Sequence, residues 1–200
     1  MSATRKHMEL LPSSRTGCEF EAGCDEAGRG CLAGPVVAAA VILPQGYTLE
    51  GLNDSKKISP ARRQELRQII MRDAVAWAVA ECSPQEIDSI NILNASIEAM
   101  HRALRKLTVR PQHISVDGNR FKPFEDIPHA TVVKGDATFA NIAAASILAK
   151  TTRDAIMEQL NDNYPHYGWA VNKGYPTAQH RNAVAIHGPS PLHRTTFRCK

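Results

Sequence analysis

Two hundred residues with a formal net charge of +4 make one ordinary domain with a full hydrophobic core, and so mild a charge is only a weak pointer to a polyanionic partner. The five scattered cysteines, Cys18, Cys24, Cys31, Cys82 and Cys199, contain no C-x-x-C pair, which argues against a disulfide framework or structural zinc and for reduced thiols in a cytoplasmic protein. No window approaches the ~20 apolar residues of a membrane helix, so a soluble chain without a membrane partner is expected.

Residues 1–17 are polar and read as a flexible leader, with the folded domain over 18–200. Cys18, Phe20, Ala22 and Cys24 alternate with Glu19, Glu21, Gly23 and Asp25, the period of two of a strand with distinct faces. That strand is expected to end on the adjacent acids Asp25 and Glu26, which run into the turn Gly28-Arg29-Gly30. Absent side chains there let a ligand approach the backbone, and Arg29 suits an anion. Val36 to Leu43 reads as a second strand, antiparallel to the first. After a polar loop with Asn53-Asp54-Ser55-Lys56-Lys57, Ser59-Pro60 opens a helix with Leu66, Ile69 and Ile70 on its buried stripe. Ala74 to Ala80 suggests a third strand.

Ser83-Pro84-Gln85-Glu86 is a capping box that starts a short helix. Ile97, Met100, Leu104 and Leu107 then mark the apolar face of a helix closed by Pro111. His113 to Asn119 and Thr131 to Asp136 read as short strands, each delivering an aspartate, Asp117 and Asp136, at its tip. Thr138 to Leu160 is the longest helix, its Ala143-Ala144-Ala145 run suited to close packing on a sheet, and Ala178 to Ala185 is a further helix. A three-strand meander followed by alternating strands and helices makes a mixed α/β sheet flanked by helices.

Asp25, Glu26, Asp117 and Asp136 at neighbouring strand ends would repel one another unless cations neutralise them. Mg²⁺ favours carboxylates with water and phosphate oxygens, and two such ions ~4 Å apart can clamp a phosphoryl transfer. Taken singly, Asp117 also reads as a turn residue and Asp136 as an acid at a helix start. Asp25-Glu26 has no comparable capping explanation. Gly28-Arg29-Gly30 with Gly34 loosely matches a dinucleotide-binding loop, but Pro35 and a β-branched run follow where that loop opens a helix. Lys56, Lys57, Lys150, Arg153 and Lys173 are candidates for tracking phosphates, or solvated surface charges. Tyr175, between Gly174 and Pro176, is a candidate for stacking on a sugar or base, or a ring packed under its own turn.

Taken together, the motifs Asp25-Glu26-Ala27-Gly28-Arg29-Gly30, Ala33-Gly34-Pro35-Val36-Val37, Asn53-Asp54-Ser55-Lys56-Lys57, Asp117-Gly118-Asn119-Arg120, Val133-Lys134-Gly135-Asp136, Ala144 to Lys150, Thr152-Arg153-Asp154, Lys173-Gly174-Tyr175-Pro176-Thr177 and His193-Arg194 before Phe197 stand in one order. In this the chain resembles the type 2 ribonuclease H enzymes, the bacterial ribonuclease HII family. The resemblance implies a ribonuclease H-like α/β fold with a helical C-terminal segment at about 165–200. It implies a monomeric endonuclease acting on RNA–DNA hybrids and on duplex DNA holding single ribonucleotides, nicked on the 5′ side by water attacking in line between two metal ions. It implies Asp25, Glu26, Asp117 and Asp136 as catalytic ligands of Mn²⁺ or Mg²⁺. Gly28, Arg29 and Gly30 would read the ribose 2′-hydroxyl, Tyr175 would stack on the neighbouring sugar, and Lys56 and Lys57 would touch phosphates. A non-catalytic hybrid-binding module is the alternative. Cys31, where the family commonly has proline, and Ala143, where it often has serine, depart from the pattern, and the tail after Phe197 is short, which is expected to weaken the grip on substrate.

Overall fold

The computed structural model describes residues 10–52, 55 and 58–197. Five strands form one sheet in the order β3-β2-β1-β4-β5: β1 Glu21–Ala27, β2 Val36–Ile42, β3 Ala76–Cys82, β4 His113–Asp117 and β5 His129–Val132. β1 pairs antiparallel with β2 and β2 with β3, whereas β1–β4 and β4–β5 are parallel. The mixed sheet read from the sequence is therefore present, with β1 at its centre.

Helices cover both faces. α1 Pro60–Asp73 and α4 Ala140–Asn163 lie on one face, α3 Ile92–Arg105 on the other, and α2 Pro84–Ile90 leads into α3. Alternation along β2 feeds two cores: Ala38, Ala40 and Ile42 pack with Ala95, Ala99 and Met100, while Ala39 and Val41 pack with Leu66, Ile70, Ala144 and Leu148. Ser59 caps α1 by accepting from the Arg62 N–H, and Ser83 and Glu86 form the expected reciprocal capping box. α4 crosses β1 so closely that a Cβ on Gly23 would lie 2.3 Å from the Asn141 carbonyl carbon, which is why this strand carries glycine under an alanine-rich helix.

The first strand runs Glu21–Ala27 rather than ending at the acids, and its alternation does not divide core from solvent. Both faces of this central strand are covered, and Glu21 is buried because Ser115 Oγ, the Arg15 and Thr16 N–H groups and the Thr16 hydroxyl all donate to its carboxylate. Burial pushes that carboxyl up, but these donors outweigh it and hold it below the usual value. Residues before 18 are not a free leader where they are described. Pro12 and Ser13 carbonyls accept from the Ala140 and Asn141 N–H groups, closing an α4 N-terminus whose own cap, Phe139, offers no side-chain acceptor. Met1–Glu9 lie outside the described residues.

β5 stops at Val132, so Asp136 is not at a strand tip. Lys134 turns the backbone left-handed at φ 59°, and Asp136 follows in a short 3₁₀ turn, Gly135–Ala137. Beyond α4, the short α5 Trp169–Asn172 and α6 Ala178–His187 gather around Tyr167, Trp169 and Ala183, which pack on Ala33 and Met157. Cys18, Cys24, Cys31 and Cys82 are free thiols. Among the described residues no helix is long and apolar enough to cross a membrane.

Candidate active site

Asp25 and Glu26 occupy the last turn of sheet in β1 before Ala27. The parallel register pairs Cys24 with Val116, so one step further sets Asp25 beside Asp117, the last residue of β4. Asp25 is 6 % exposed. Its Oδ1 accepts the Glu26 N–H at 2.7 Å, and the Ser146 hydroxyl donates to the same carboxylate. Burial, then the charges of Glu26 and Asp117, hold the Asp25 carboxyl well above the usual range. Asp117 Oδ1 accepts from the Gly135 N–H at 2.7 Å, and Arg29 Nη1 lies 3.2 Å from Glu26 Oε1.

These three acids form one wall of a cavity of about 220 Å³. Gly28, Arg29 and Gly30 form the second wall, and Ser55, Ser146, Lys150 and Tyr175 close it. Asp136 is buried and is not among the residues that line this cavity; it follows the left-handed Lys134 in the 3₁₀ turn whose Gly135 N–H reaches Asp117. Lys56 and Lys57 lie outside the described residues. A broader hollow of about 650 Å³ over Arg120, Lys122 and His129 contains none of the four acids.

Two buried arginines shape the loop between β1 and β2. Arg153, 1 % exposed, donates from Nε to the Pro35 carbonyl at 3.0 Å, from Nη1 to Lys173 at 2.8 Å and from Nη2 to Ala33 at 3.1 Å. Gly28 has φ 98°, and a Cβ there would stand 2.0 Å from Arg153 Nε, so both backbone shape and crowding require glycine. Arg194 donates from Nε and Nη2 to the Gly34 carbonyl and from Nη1 to that of Arg29. Burial pulls its pKa down to about 10, so it remains charged at neutral pH. Arg153 is thus spent on backbone carbonyls rather than open to phosphates, and Lys173 Nζ is paired with Glu158 at 2.6 Å. Lys150 does reach the cavity, paired with Asp154 at 2.6 Å and 5.8 Å from the Tyr175 ring centre.

Tyr175 presents a part-exposed ring to the cavity. Its hydroxyl donates to the Cys31 sulfur, so the first departure from the family pattern gives this ring a contact. The serines Ser55 and Ser146, 2.9 Å apart, have no role in the sequence reading. The available signal was helical spacing, since Ser146 and Lys150 stand one turn apart on the face of α4 that meets the acids.

The donors around Asp25 are hard oxygens, which suit Mg²⁺ or Mn²⁺ and not zinc or copper. Among the described residues no group of three or more His, Cys, Asp or Glu side chains is arranged, as it stands, to hold a metal ion. The glycine loop opens the strand β2 rather than a helix, which removes the dinucleotide reading.

The ribonuclease HII family model matches residues 22–200. The chain is 61 % identical over 188 residues to ribonuclease HII of Parabacteroides distasonis, covering 94 % of each chain. It is 63 % identical over 178 residues to that of Bacteroides fragilis, covering 89 % of each. The crystal structure of ribonuclease H2 from Pyrococcus horikoshii superposes with a TM-score of 0.74 at 29 % identity, over 90 % of this chain and 94 % of that one. With the acids of β1 and β4 gathered on a ribonuclease H-like sheet, these matches make the chain a member of the ribonuclease HII family of metal-dependent endonucleases.

Proposed function

We propose that the chain hydrolyses the RNA strand of RNA–DNA hybrids and nicks duplex DNA on the 5′ side of a single embedded ribonucleotide, leaving 3′-hydroxyl and 5′-phosphate ends. One observation carries this reading: a single cavity joins Asp25, Glu26 and Asp117 to the Gly28-Arg29-Gly30 backbone and the Tyr175 ring. Acids suited to phosphoryl chemistry and a backbone open to a sugar share that space.

Asp25, Glu26 and Asp117, with Asp136 in the turn that follows β5, would hold two divalent ions, Mg²⁺ or Mn²⁺. Those ions supply charge neutralisation at the phosphate and polarise the attacking water. Ser146 aims the Asp25 carboxylate, and the Glu26 N–H fixes its other lone pairs. A Cβ on Gly30 would meet nothing within 4 Å, so the space there is free for a ribose to approach the main chain. The 2′-hydroxyl is both donor and acceptor, so main-chain groups at that distance can tell ribose from deoxyribose. Arg29 is placed to exchange Glu26 for a phosphate oxygen. Tyr175 stacks on the sugar beside the ribonucleotide, and Lys150 adds a positive charge beneath it.

The test is incubation with duplex DNA holding one ribonucleotide, with and without Mg²⁺ or Mn²⁺. A metal-dependent nick on the 5′ side of the ribonucleotide is expected. A duplex that is bound but left whole, or nicks at all-DNA positions, would overturn the reading.

A further inference from the structure

Trp169, Tyr167, His180 and His193 are buried together beneath the turn that carries Tyr175. Their hydrogen bonds assign every imidazole proton. The Ser190 N–H lies 2.9 Å from His193 Nδ1; an amide nitrogen can only donate, so that Nδ1 is bare and neutral His193 carries its proton on Nε2. His193 Nε2 is 3.1 Å from His180 Nε2. The Trp169 indole N–H, another obligate donor, also points to His180 Nε2, at 3.0 Å. Two donors converge on one nitrogen, so His180 Nε2 is bare and the His180 proton sits on Nδ1. That Nδ1–H points to the Tyr175 carbonyl oxygen at 3.0 Å, with the neighbouring Gly174 carbonyl as a second acceptor.

The same turn is held at each of three consecutive carbonyls. Arg153 of α4 holds Lys173, the Leu32 N–H from the glycine loop holds Gly174 at 2.8 Å, and His180 of α6 holds Tyr175. Tyr175 itself is 38 % exposed, so its ring is held only in part by its contacts with Cys31, Lys150 and Arg153. The backbone beneath it sets where the side chain starts, and so shares in its orientation.

We propose that His180 is a positioning residue for Tyr175: the Nδ1–H tautomer enforced by Trp169 and His193 holds the Tyr175 carbonyl and so sets the ring against the cavity of the acids. The proposal rests on the stacking role given to Tyr175 above. The signal runs from the Ser190 N–H through His193 and His180 to the Tyr175 carbonyl, each bond with a defined direction. Protonating either ring, or moving the His180 proton to Nε2, would set donor against donor.

The two amide replacements of His180 separate this role from simple core filling. Asparagine puts an N–H where Nδ1 stands and keeps the donor to Tyr175. Glutamine reaches the Nε2 position, can accept from Trp169, and leaves the Tyr175 carbonyl without its imidazole donor. His180→Gln should lower kcat for nicking at a single ribonucleotide on the order of tenfold with KM little changed, and His180→Asn should restore most of it. In a Tyr175→Ala background, His180→Gln should add no further loss. Equal losses for the two His180 variants, following their melting temperatures, or full additivity with Tyr175→Ala, would overturn the positioning role. If Tyr175→Ala alone leaves kcat unchanged, the stacking reading falls and the proposal with it; if Tyr175→Ala is slow but His180→Gln is as fast as the unaltered chain, only the proposal falls. Nitrogen NMR of the unaltered protein gives a check independent of variants: it should show the Nδ1–H form of His180 and the Nε2–H form of His193, and the opposite pair would overturn the assignment.

Discussion

Ser55 Oγ stands 2.9 Å from Ser146 Oγ. Because Ser146 donates to Asp25, its oxygen is left to accept from Ser55, and the two hydroxyls form a directed chain that ends on the most deeply buried acid of the cavity. Ser146→Ala is expected to weaken Mg²⁺ activation about tenfold to a hundredfold, the usual effect of losing a hydrogen bond that orients a metal-binding carboxylate. A Mg²⁺ titration of the nicking rate reads this directly, and an unchanged activation midpoint would remove Ser146 from the site.

Asp25→Asn should separate activity from stability. The substitution removes a buried charge that stands against Glu26 and Asp117, so in metal-free buffer the variant should melt a few degrees higher than the parent. Nicking should be abolished. A variant that melts lower, or that retains strong activity, contradicts the placement of Asp25 among the acids.

Gly28 and Gly30 should respond to alanine in opposite ways. At Gly28 the new Cβ meets Arg153 Nε at 2.0 Å in a left-handed backbone, so Gly28→Ala should lose about 3 kcal/mol of stability. Gly30 has open space around it, so Gly30→Ala should change stability by less than about 0.5 kcal/mol. Its nicking rate should nevertheless fall about tenfold, because the methyl occupies the approach of the ribose to the main chain. Urea unfolding beside a nicking assay distinguishes the pair. Full activity in Gly30→Ala would argue against backbone reading of the sugar.

Burial, and then the neighbouring His180, pull the His193 pKa down from 6.5 to about 4. Its folded value lies below its unfolded one, so between these limits the unfolded chain binds more protons and stability rises with pH. The contribution is complete above pH 6.5 and is lost as the pH falls towards 4. His193→Gln, which cannot titrate, should show a flatter dependence over this window. Parallel melting curves for parent and variant from pH 7 to pH 4 would contradict the assignment.

How much of this was legible depends on whether a feature has a side-chain signature. Ser59-Pro60 and Ser83 with Glu86 announce their caps, and both caps are present. The acids of β1 and β4 were visible as carboxylates after apolar runs. Asp136 follows β5 rather than standing at its tip: Val133 and Lys134 prolong the strand pattern, while Lys134 turns left-handed, a choice that a lysine does not advertise. Arg153 looked like a phosphate contact because its partners are the carbonyls of residues 33, 35 and 173, and a carbonyl carries no residue identity. The imidazole pair has no sequence signature for a related reason: His180 and His193 come from separate segments, and the proton each carries is decided by a backbone N–H and an indole.

Arg194 gives the order of synthesis a consequence. The carbonyls of Arg29 and Gly34, which frame the loop beside the acids, wait for a guanidinium encoded 160 residues after Gly34. The sheet can assemble as β5 and α4 emerge from the ribosome, but the loop gains this clamp only when Arg194 has emerged as well. A growing chain therefore completes its four acids at Asp136 while the loop beside them is still unclamped, and the clamp follows only once Arg194 has been added.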